Sequence, residues 1–321
     1  MRTASSRWRA NSPIPGGPSR WRWEAAAAGE PVLPCARGRS AAPGGSPACR
    51  RSSAGWTGIF RGPHRFPPDP PMSGLTRVDQ MGLAGLALFS MASVAGYATF
   101  GRHPELLATF PSSAGFFPVA FEFFARGHIL VAFAALAVSL GARAGWSWLP
   151  GLAVAGGLSL GAELLGTATG FPFSAYRYTE LLGYRVAGLV PLLIPLSWFM
   201  MAFPSYVIAN AMADSRVARW GIGALLLTTW DLTLDPAMSS LTRYWVWETP
   251  GPYYGMPLVN LAGWFATGLA IMAGFDLVRA DAAARRIPVP LMETYYATVL
   301  ALSLAMTLVG GYWRAVMATL A

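Results

Sequence analysis

Four carboxylates stand within otherwise apolar stretches of this chain, and they are the residues whose presence there calls for a chemical explanation. Glu122, Glu163, Asp231 and Asp235 each lie inside or at the end of a long apolar run. An ionisable group costs free energy in a bilayer and is usually kept there for function. The pattern predicts an enzyme or a transporter that acts on a molecule dissolved in lipid.

The two aspartates are spaced i, i+4, so Asp231 and Asp235 share one face of a helix that Pro236 should end. Two close carboxylates in a low dielectric repel when both are ionised, so one of them is expected to hold a proton at neutral pH. A held proton is what a general acid needs. Glu163 is a second candidate, as an acid or as a water-orienting group. The alternative for the aspartates is helix-end capping or bonding to loop donors such as Arg243.

Three polar residues in the second apolar run are possible support for these acids. Glu122 and Arg126 are also spaced i, i+4, and the alternative is a structural ion pair. His128 is interpreted as a hydrogen-bonded packing residue in preference to a base or a ligand. Beyond residue 72 the other histidine is His103, in a loop, and there is no cysteine, so we expect no zinc or di-iron site.

Seven helices must position these groups, and composition places them in a membrane. The chain is 54% hydrophobic and 12% charged, whereas a soluble domain carries about 25% charged residues. Each apolar run is near the ~20 residues that a helix needs to cross the hydrocarbon. We predict an all-α polytopic bundle of seven transmembrane helices, with six or eight as alternatives. The runs are 81–100, 116–141, 148–168, 186–208, 218–234, 258–278 and 291–312.

Helix parity predicts where the polar groups meet. The loops after the first, third and fifth helices must share a face of the membrane, which brings loops 170–184 and 236–257 together with the carboxylates. The expected arrangement is a half-buried polar chamber open to one interface. Arginine placement predicts a cytoplasmic N-terminus by the positive-inside rule, in the cytoplasmic membrane of a bacterium.

Residues 1–71 differ from the remainder of the chain. They hold nearly all of the net charge of +9, are rich in Arg, Pro and Gly, and contain Cys35 and Cys49. We interpret them as a disordered tail and as translated upstream sequence, with a start at Met72 or Met81. The alternative is a basic arm for anionic lipid or nucleic acid. Residues 72–321 form the predicted membrane-embedded catalytic unit.

The two loops on the shared face are dense in aromatic residues. An interfacial aromatic belt explains part of this density without any function. Aromatic faces also stabilise cations, so acids beside an aromatic cage suggest chemistry through a carbocation that the protein stabilises electrostatically. The aromatic residues are Phe171, Phe173, Tyr176, Tyr178, Tyr184, Tyr244, Trp245, Trp247, Tyr253 and Tyr254, followed by Trp264.

Four ordered segments resemble the integral-membrane carotenoid 1,2-hydratases of the CruF type. They are 163–178 (ELLGTATGFPFSAYRY), 190–198 (VPLLIPLSW), 231–236 (DLTLDP) and 245–264 (WVWETPGPYYGMPLVNLAGW). The resemblance covers residues from about 80 to 312. The chain departs from the family pattern at Ser174-Ala175, where a glycine is expected in Pro-Phe-Gly-x-Tyr.

The resemblance implies cofactor-free addition of water to the terminal 1,2 double bond of an acyclic carotenoid end group, as in lycopene or γ-carotene. Within that implication, the Asp231/Asp235 pair would protonate C-2. A water held by Glu163 or by the second aspartate would then attack the tertiary cation at C-1. Residues expected to shelter or bind the substrate are Tyr176, Tyr178, Trp198, Trp245, Trp247, Tyr253, Asn260 and Trp264, with Arg177 and Arg243 as further polar support. Expected partners are the bilayer, the carotenoid, water and other enzymes of carotenoid synthesis, and no nucleic acid.

Three other functions remain open at this level. An end-group cyclase shares the protonation step and differs only in the fate of the cation. A membrane prenyltransferase uses Mg²⁺ and a second acid cluster in phase with the first, but Asp276 and Asp281 fall on the opposite face. A carotenoid-binding or transport protein gives no reason for paired carboxylates. A retinal protein would need a Schiff-base lysine, and the chain has no lysine.

Overall fold

The computed structural model describes residues 74–109 and 111–321, and the predictions made for the tail 1–71 lie outside these ranges. The helices are α1 (Arg77–Gly96), α2 (Glu105–Thr109), α3 (Pro111–Ala144), α4 (Leu149–Thr169), α5 (Leu193–Met212), α6 (Arg216–Asp235), α7 (Val259–Leu277), α8 (Asp281–Ala284), α9 (Val289–Val309) and α10 (Trp313–Leu320). The strands are β1 (Tyr176–Tyr178), β2 (Arg185–Val186), β3 (Val190–Pro191) and β4 (Trp245–Trp247).

The seven long helices α1, α3, α4, α5, α6, α7 and α9 correspond one to one with the seven predicted runs, so the prediction of a polytopic helical bundle is confirmed. Within the described ranges, five stretches are long and apolar enough to cross a membrane: Arg77–Gly101, Gly115–Ala144, α4, α5 and α9. Helix α6 falls outside this set and carries two arginines and two aspartates. Helix α7, with 19 residues, also falls outside it.

Two predicted boundaries move for local reasons. Helix α1 begins at Arg77, ahead of the predicted residue 81, because Thr76 and Asp79 form a capping box. Their bonds are Thr76 N to Asp79 Oδ2 at 2.8 Å and Asp79 N to Thr76 Oγ1 at 3.2 Å. Helix α5 begins at Leu193 because residues 185–191 instead form the β2–β3 hairpin. Both shifts leave the order of the helices unchanged.

Helix α5 lies at the centre of the bundle. It packs against α3, α4, α6 and α9, while α7 packs against α4 and α6 and α1 packs against α3 and α9. Most of α5 is buried on every side, from Trp198 to Ala209. A helix that is apolar all round belongs inside the protein. Helices α3, α4, α6, α7 and α9 therefore surround α5, and α1 packs against α3 and α9.

A short sheet joins the two loops that were predicted to share a face. Strands β1 and β4 pair antiparallel, with Tyr176 opposite Trp247 and Tyr178 opposite Trp245. Because side chains alternate along a strand, these four aromatic residues point inward, while Arg177 is exposed. The pairing confirms that loops 170–184 and 236–257 lie together, on the side of the bundle where α4 and α6 end.

Candidate active site

A cavity of about 260 Å³ lies inside the bundle, and every long helix together with β1 and β4 contributes to its wall. Phe116, at its rim, is 68% exposed, so the cavity reaches the surface near the beginning of α3. Two carboxylates, Glu163 and Asp235, line it. The aromatic lining consists of Tyr97, Phe100, Phe116, Phe117, Phe121, Phe124, Phe173, Tyr176, Tyr178, Trp198, Trp230, Tyr244, Trp245, Trp247 and Trp264.

Glu163 is buried in α4 and receives three hydrogen bonds from aromatic side chains. The hydroxyls of Tyr176 and Tyr178 donate to Oε2, the latter over 2.8 Å, and Trp198 Nε1 donates to Oε1 over 2.9 Å. Burial, and then the charge of Glu163, raise the pKa of both tyrosines far above the usual range, so both remain donors. Three aromatic donors therefore fix the position of this one buried carboxyl group.

Asp235 is the last residue of α6 and is equally enclosed. Trp245 Nε1 donates to Oδ2 over 3.0 Å, and Trp247 Nε1 and Ser239 Oγ donate to Oδ1 over 3.1 and 2.9 Å. Pro236 ends α6 as predicted, and the chain continues in a π-helical turn, Pro236–Leu241, that brings Ser239 back to the carboxylate. The sequence-based alternative named Arg243 as the loop donor, whereas the donors are tryptophans and a serine.

Asp231 lies one turn before Asp235, is fully buried and is not part of the cavity wall. Asn260 Nδ2, from α7, donates to its Oδ2 over 2.7 Å. Its Oδ1 has no hydrogen-bond partner among the residues that the structure describes. A buried carboxylate oxygen without a donor is costly. The aspartate pair therefore has one member behind the wall and one member on it.

Stacked and edge-on rings form the part of the wall beside the carboxylates. Trp198 and Trp264 are stacked with ring centroids 4.1 Å apart, and Trp230 meets Trp264 edge-on at 5.9 Å. Across the β1–β4 sheet, Tyr176 lies 5.2 Å from Trp247. Such faces carry the negative side of the ring quadrupole and attract cations. The arrangement can stabilise a cation that forms in the cavity.

Close backbone packing holds the aromatic loop in place. Ser174 has φ +99°, in the region that favours glycine, which is where the family pattern expects one. Gly263 of α7 lies against the same loop, since an added Cβ would come within 2.6 Å of Phe173 Cδ1 and 2.8 Å of the Pro172 carbonyl oxygen. An added Cβ on Gly166 of α4 would likewise come within 2.8 Å of Phe173 Cδ2, so the loop is packed between α4 and α7.

Several predicted site residues lie away from the cavity. Glu122 and Arg126 form a half-exposed ion pair of 2.8 Å, and Arg126 Nε also donates to the Leu181 carbonyl over 2.8 Å, so the pair anchors the loop from outside. Arg177 and Arg243 are exposed, the first because it is the outward residue of β1.

Tyr253 also lies outside the wall. Its hydroxyl donates to the Leu232 carbonyl over 2.9 Å, which braces α6. His128, in contrast, lines the cavity, with Nδ1 3.3 Å from Ser90 Oγ of α1.

Sequence reasoning missed the wall that α3 supplies. Phe117, Phe121 and Phe124 line the cavity, and their spacing of three to four residues is a helical stripe that could have been recognised. Trp230, next to Asp231 in sequence, was also missed. Ser239 offered no signal, because its contact with Asp235 depends on the π-helical turn.

Comparisons with known proteins place this chain among carotenoid proteins. A family model described as "Carotenoid biosynthesis protein" matches residues 124–321, more than half of the chain. A bisanhydrobacterioruberin hydratase from Haloarcula japonica is 33% identical over 122 residues, which are 37% of this chain and 41% of that relative. The aligned part thus spans less than half of the relative's length. No solved structure matches.

Proposed function

We propose, from the premise that the chain belongs to the carotenoid biosynthesis protein family, that it adds water to the terminal 1,2 double bond of an acyclic carotenoid end group. The observation that carries the proposal is the pair of buried carboxylates, Glu163 and Asp235, that face one aromatic cavity. No arginine lines this cavity within the described ranges. Negative charge and ring faces are what a carbocation requires.

The first step is protonation of C-2 by the Asp231/Asp235 pair. The pair retains a proton because two buried carboxylates one turn apart repel when both are ionised. That proton reaches C-2 through Asp235, the member of the pair that lines the cavity. The π electrons of the double bond form the new C–H bond and leave a tertiary cation at C-1. A positioned acid of this kind contributes about a hundredfold to ten-thousandfold in rate.

The second step is capture of the cation. Glu163, which accepts hydrogen bonds from Tyr176, Tyr178 and Trp198, faces the cation, and the aromatic wall shelters that cation. A water oxygen bonds to C-1, and the proton that the water loses returns to the aspartate pair. The product is a tertiary alcohol, and the acid is regenerated without any cofactor.

The prenyltransferase alternative has weaker support in the geometry. Asp276, the acid that would begin a second cluster, accepts hydrogen bonds from Tyr206 Oη over 2.6 Å and from Trp220 Nε1 over 3.0 Å. Trp220, which contacts Asp276, precedes Asp235 by about four turns of α6. Asp276 and Asp235 therefore lie roughly 20 Å apart along the axis of α6. Acids at opposite ends of a helix cannot share one Mg²⁺–diphosphate.

The substrate is proposed as an acyclic carotenoid of the lycopene or γ-carotene type. The name of the Haloarcula relative, a bisanhydrobacterioruberin hydratase, makes that carotenoid a second substrate to test. We further propose that the protein works within the cytoplasmic membrane of a bacterium with its N-terminal side in the cytoplasm, beside other enzymes of carotenoid synthesis.

The test is expression of the full chain in a host that accumulates lycopene. The extracted pigments are separated by chromatography, and their masses are measured by mass spectrometry. A product heavier by one water supports the proposal, whereas an isomer of unchanged mass would mean cyclisation. Asp235→Asn and Glu163→Gln should each remove most of the hydrated product. Glu293→Gln is the matched control, because Glu293 is exposed and lies outside the cavity. Full activity of both cavity variants would refute the acid assignment.

A further inference from the structure

One polar atom on the cavity wall has no role in the steps above. His128 of α3 is 7% exposed and lines the same cavity as Glu163 and Asp235. Its Nδ1 is 3.3 Å from the hydroxyl of Ser90, which fixes the plane of the ring. The other ring nitrogen, Nε2, has no hydrogen-bond partner among residues 74–109 and 111–321.

The cavity wall near His128 in sequence is apolar, since Phe124, Ala125 and Ile129 of α3 also line the cavity. Nε2 is not among the fully buried atoms that lack a partner, so it is accessible from the cavity, where polar atoms are generally paired with protein or with ordered water. An acyclic carotenoid end group is a hydrocarbon and offers no such partner. The molecule in the proposed reaction that can pair with Nε2 is the water reagent.

We infer that His128 binds the water molecule that attacks C-1, an assignment that rests on the proposed function. Either tautomer serves, because Nε2 can donate to the water oxygen or accept one of its protons. The imidazole holds the water inside an otherwise apolar wall until the cation forms. The oxygen then bonds to C-1, and the proton released returns to the Asp231/Asp235 pair, so atoms and charge balance.

Water in such a cavity needs two to four polar partners. Three serines of the wall are engaged in the protein: Ser93 with the Phe89 carbonyl, Ser197 with the Ile194 carbonyl and Ser303 with the Leu300 carbonyl. His128 is the histidine on the described wall, and its open nitrogen distinguishes it from these serines. Loss of that nitrogen should therefore impair capture of the cation more than its formation.

The experiment separates the two steps with deuterium. Membranes that contain the full chain are incubated with lycopene in D₂O, and both the hydrated product and the recovered carotenoid are analysed by mass spectrometry. Reversible protonation at C-2, followed by loss of the original proton, places deuterium in the unhydrated carotenoid. For His128→Leu we expect hydration to fall on the order of tenfold to a hundredfold, while deuterium still enters the recovered carotenoid.

Two further variants make the result specific. His128→Gln places an amide nitrogen near the position of Nε2 and should retain much of the hydration, while His103→Leu changes an exposed histidine outside the cavity and should have no effect. Hydration by His128→Leu at the rate of the unsubstituted protein would overturn the assignment. So would loss of deuterium exchange together with hydration, since that would place His128 in protonation or folding. If the unsubstituted protein neither hydrates lycopene nor exchanges deuterium, the proposed function itself fails.

Discussion

Substitution of Tyr178 by phenylalanine removes one of three donors to Glu163 and leaves the ring in place. The hydroxyl donates to Oε2 over 2.8 Å, and both residues are buried. A hydrogen bond to a charged group contributes about 1.5–3 kcal/mol, and 1.36 kcal/mol is tenfold in rate. If that stabilisation acts on the carboxylate that faces the cation, hydration by Tyr178→Phe should be slower by about tenfold to a hundredfold.

The matched control is Tyr206→Phe. Tyr206 donates to Asp276 over 2.6 Å, within the same bundle but outside the cavity. Both variants lose a hydroxyl bonded to a carboxylate, so both should lower the thermal stability of the detergent-solubilised protein. Only Tyr178→Phe should lower the initial rate of lycopene hydration, measured at equal amounts of folded protein.

Equal activity of the two variants would refute the reasoning, because it would mean that the bond to Glu163 acts only on folding. A fall in activity that merely follows the fall in thermal stability would refute it as well. A slower rate for Tyr178→Phe at unchanged stability would place the whole effect in the reaction.

Two further predictions concern packing and a buried ion pair. Gly263→Ala should displace the aromatic loop and lower hydration on the order of tenfold, whereas Gly221→Ala, whose Cβ would meet nothing within 4 Å, should leave the rate of pigment conversion unchanged. Arg143 is paired with Asp79 in the interface of α1 with α3, and both side chains are buried. Arg143→Met should therefore cost about 3–5 kcal/mol of stability, seen as a lower melting temperature, and a variant that melts normally would contradict this account.

The aspartate pair shows what helical spacing can predict about the site and what it cannot. The i, i+4 spacing of Asp231 and Asp235 predicted a shared helical face, and Pro236 predicted the end of the helix. Which aspartate meets the substrate could not be predicted in this way, because it depends on the β4 strand that folds back and aims Trp245 and Trp247 at Asp235. The partner of Asp231 comes from a different helix, at Asn260.

The hydrogen-bond donors to Glu163 were likewise predicted in part from the sequence and decided in part by the tertiary structure. Sequence indicated that tyrosines and tryptophans would gather near this acid, because the loops after α4 and α6 must lie on one side of the membrane. The register of β1 against β4 was not predictable, since strands of three residues carry little pattern of their own. That register turns Tyr176 and Tyr178 inward and Arg177 outward, which removes a predicted support residue from the site.

Hydropathy and composition alone thus identify a helical membrane protein and its seven long helices, because an apolar run is defined by neighbours within about twenty residues. The order of these helices along the chain then predicts that the acids lie toward one side of the membrane. The cavity arises only when helices distant in the chain pack around α5. Contacts such as Trp198 with Glu163, 35 residues apart, are formed by that packing. Local patterns thus supply the chemical groups, while long-range contacts decide which of them face one another, because a hydrogen bond depends on a few tenths of an ångström that no spacing rule encodes.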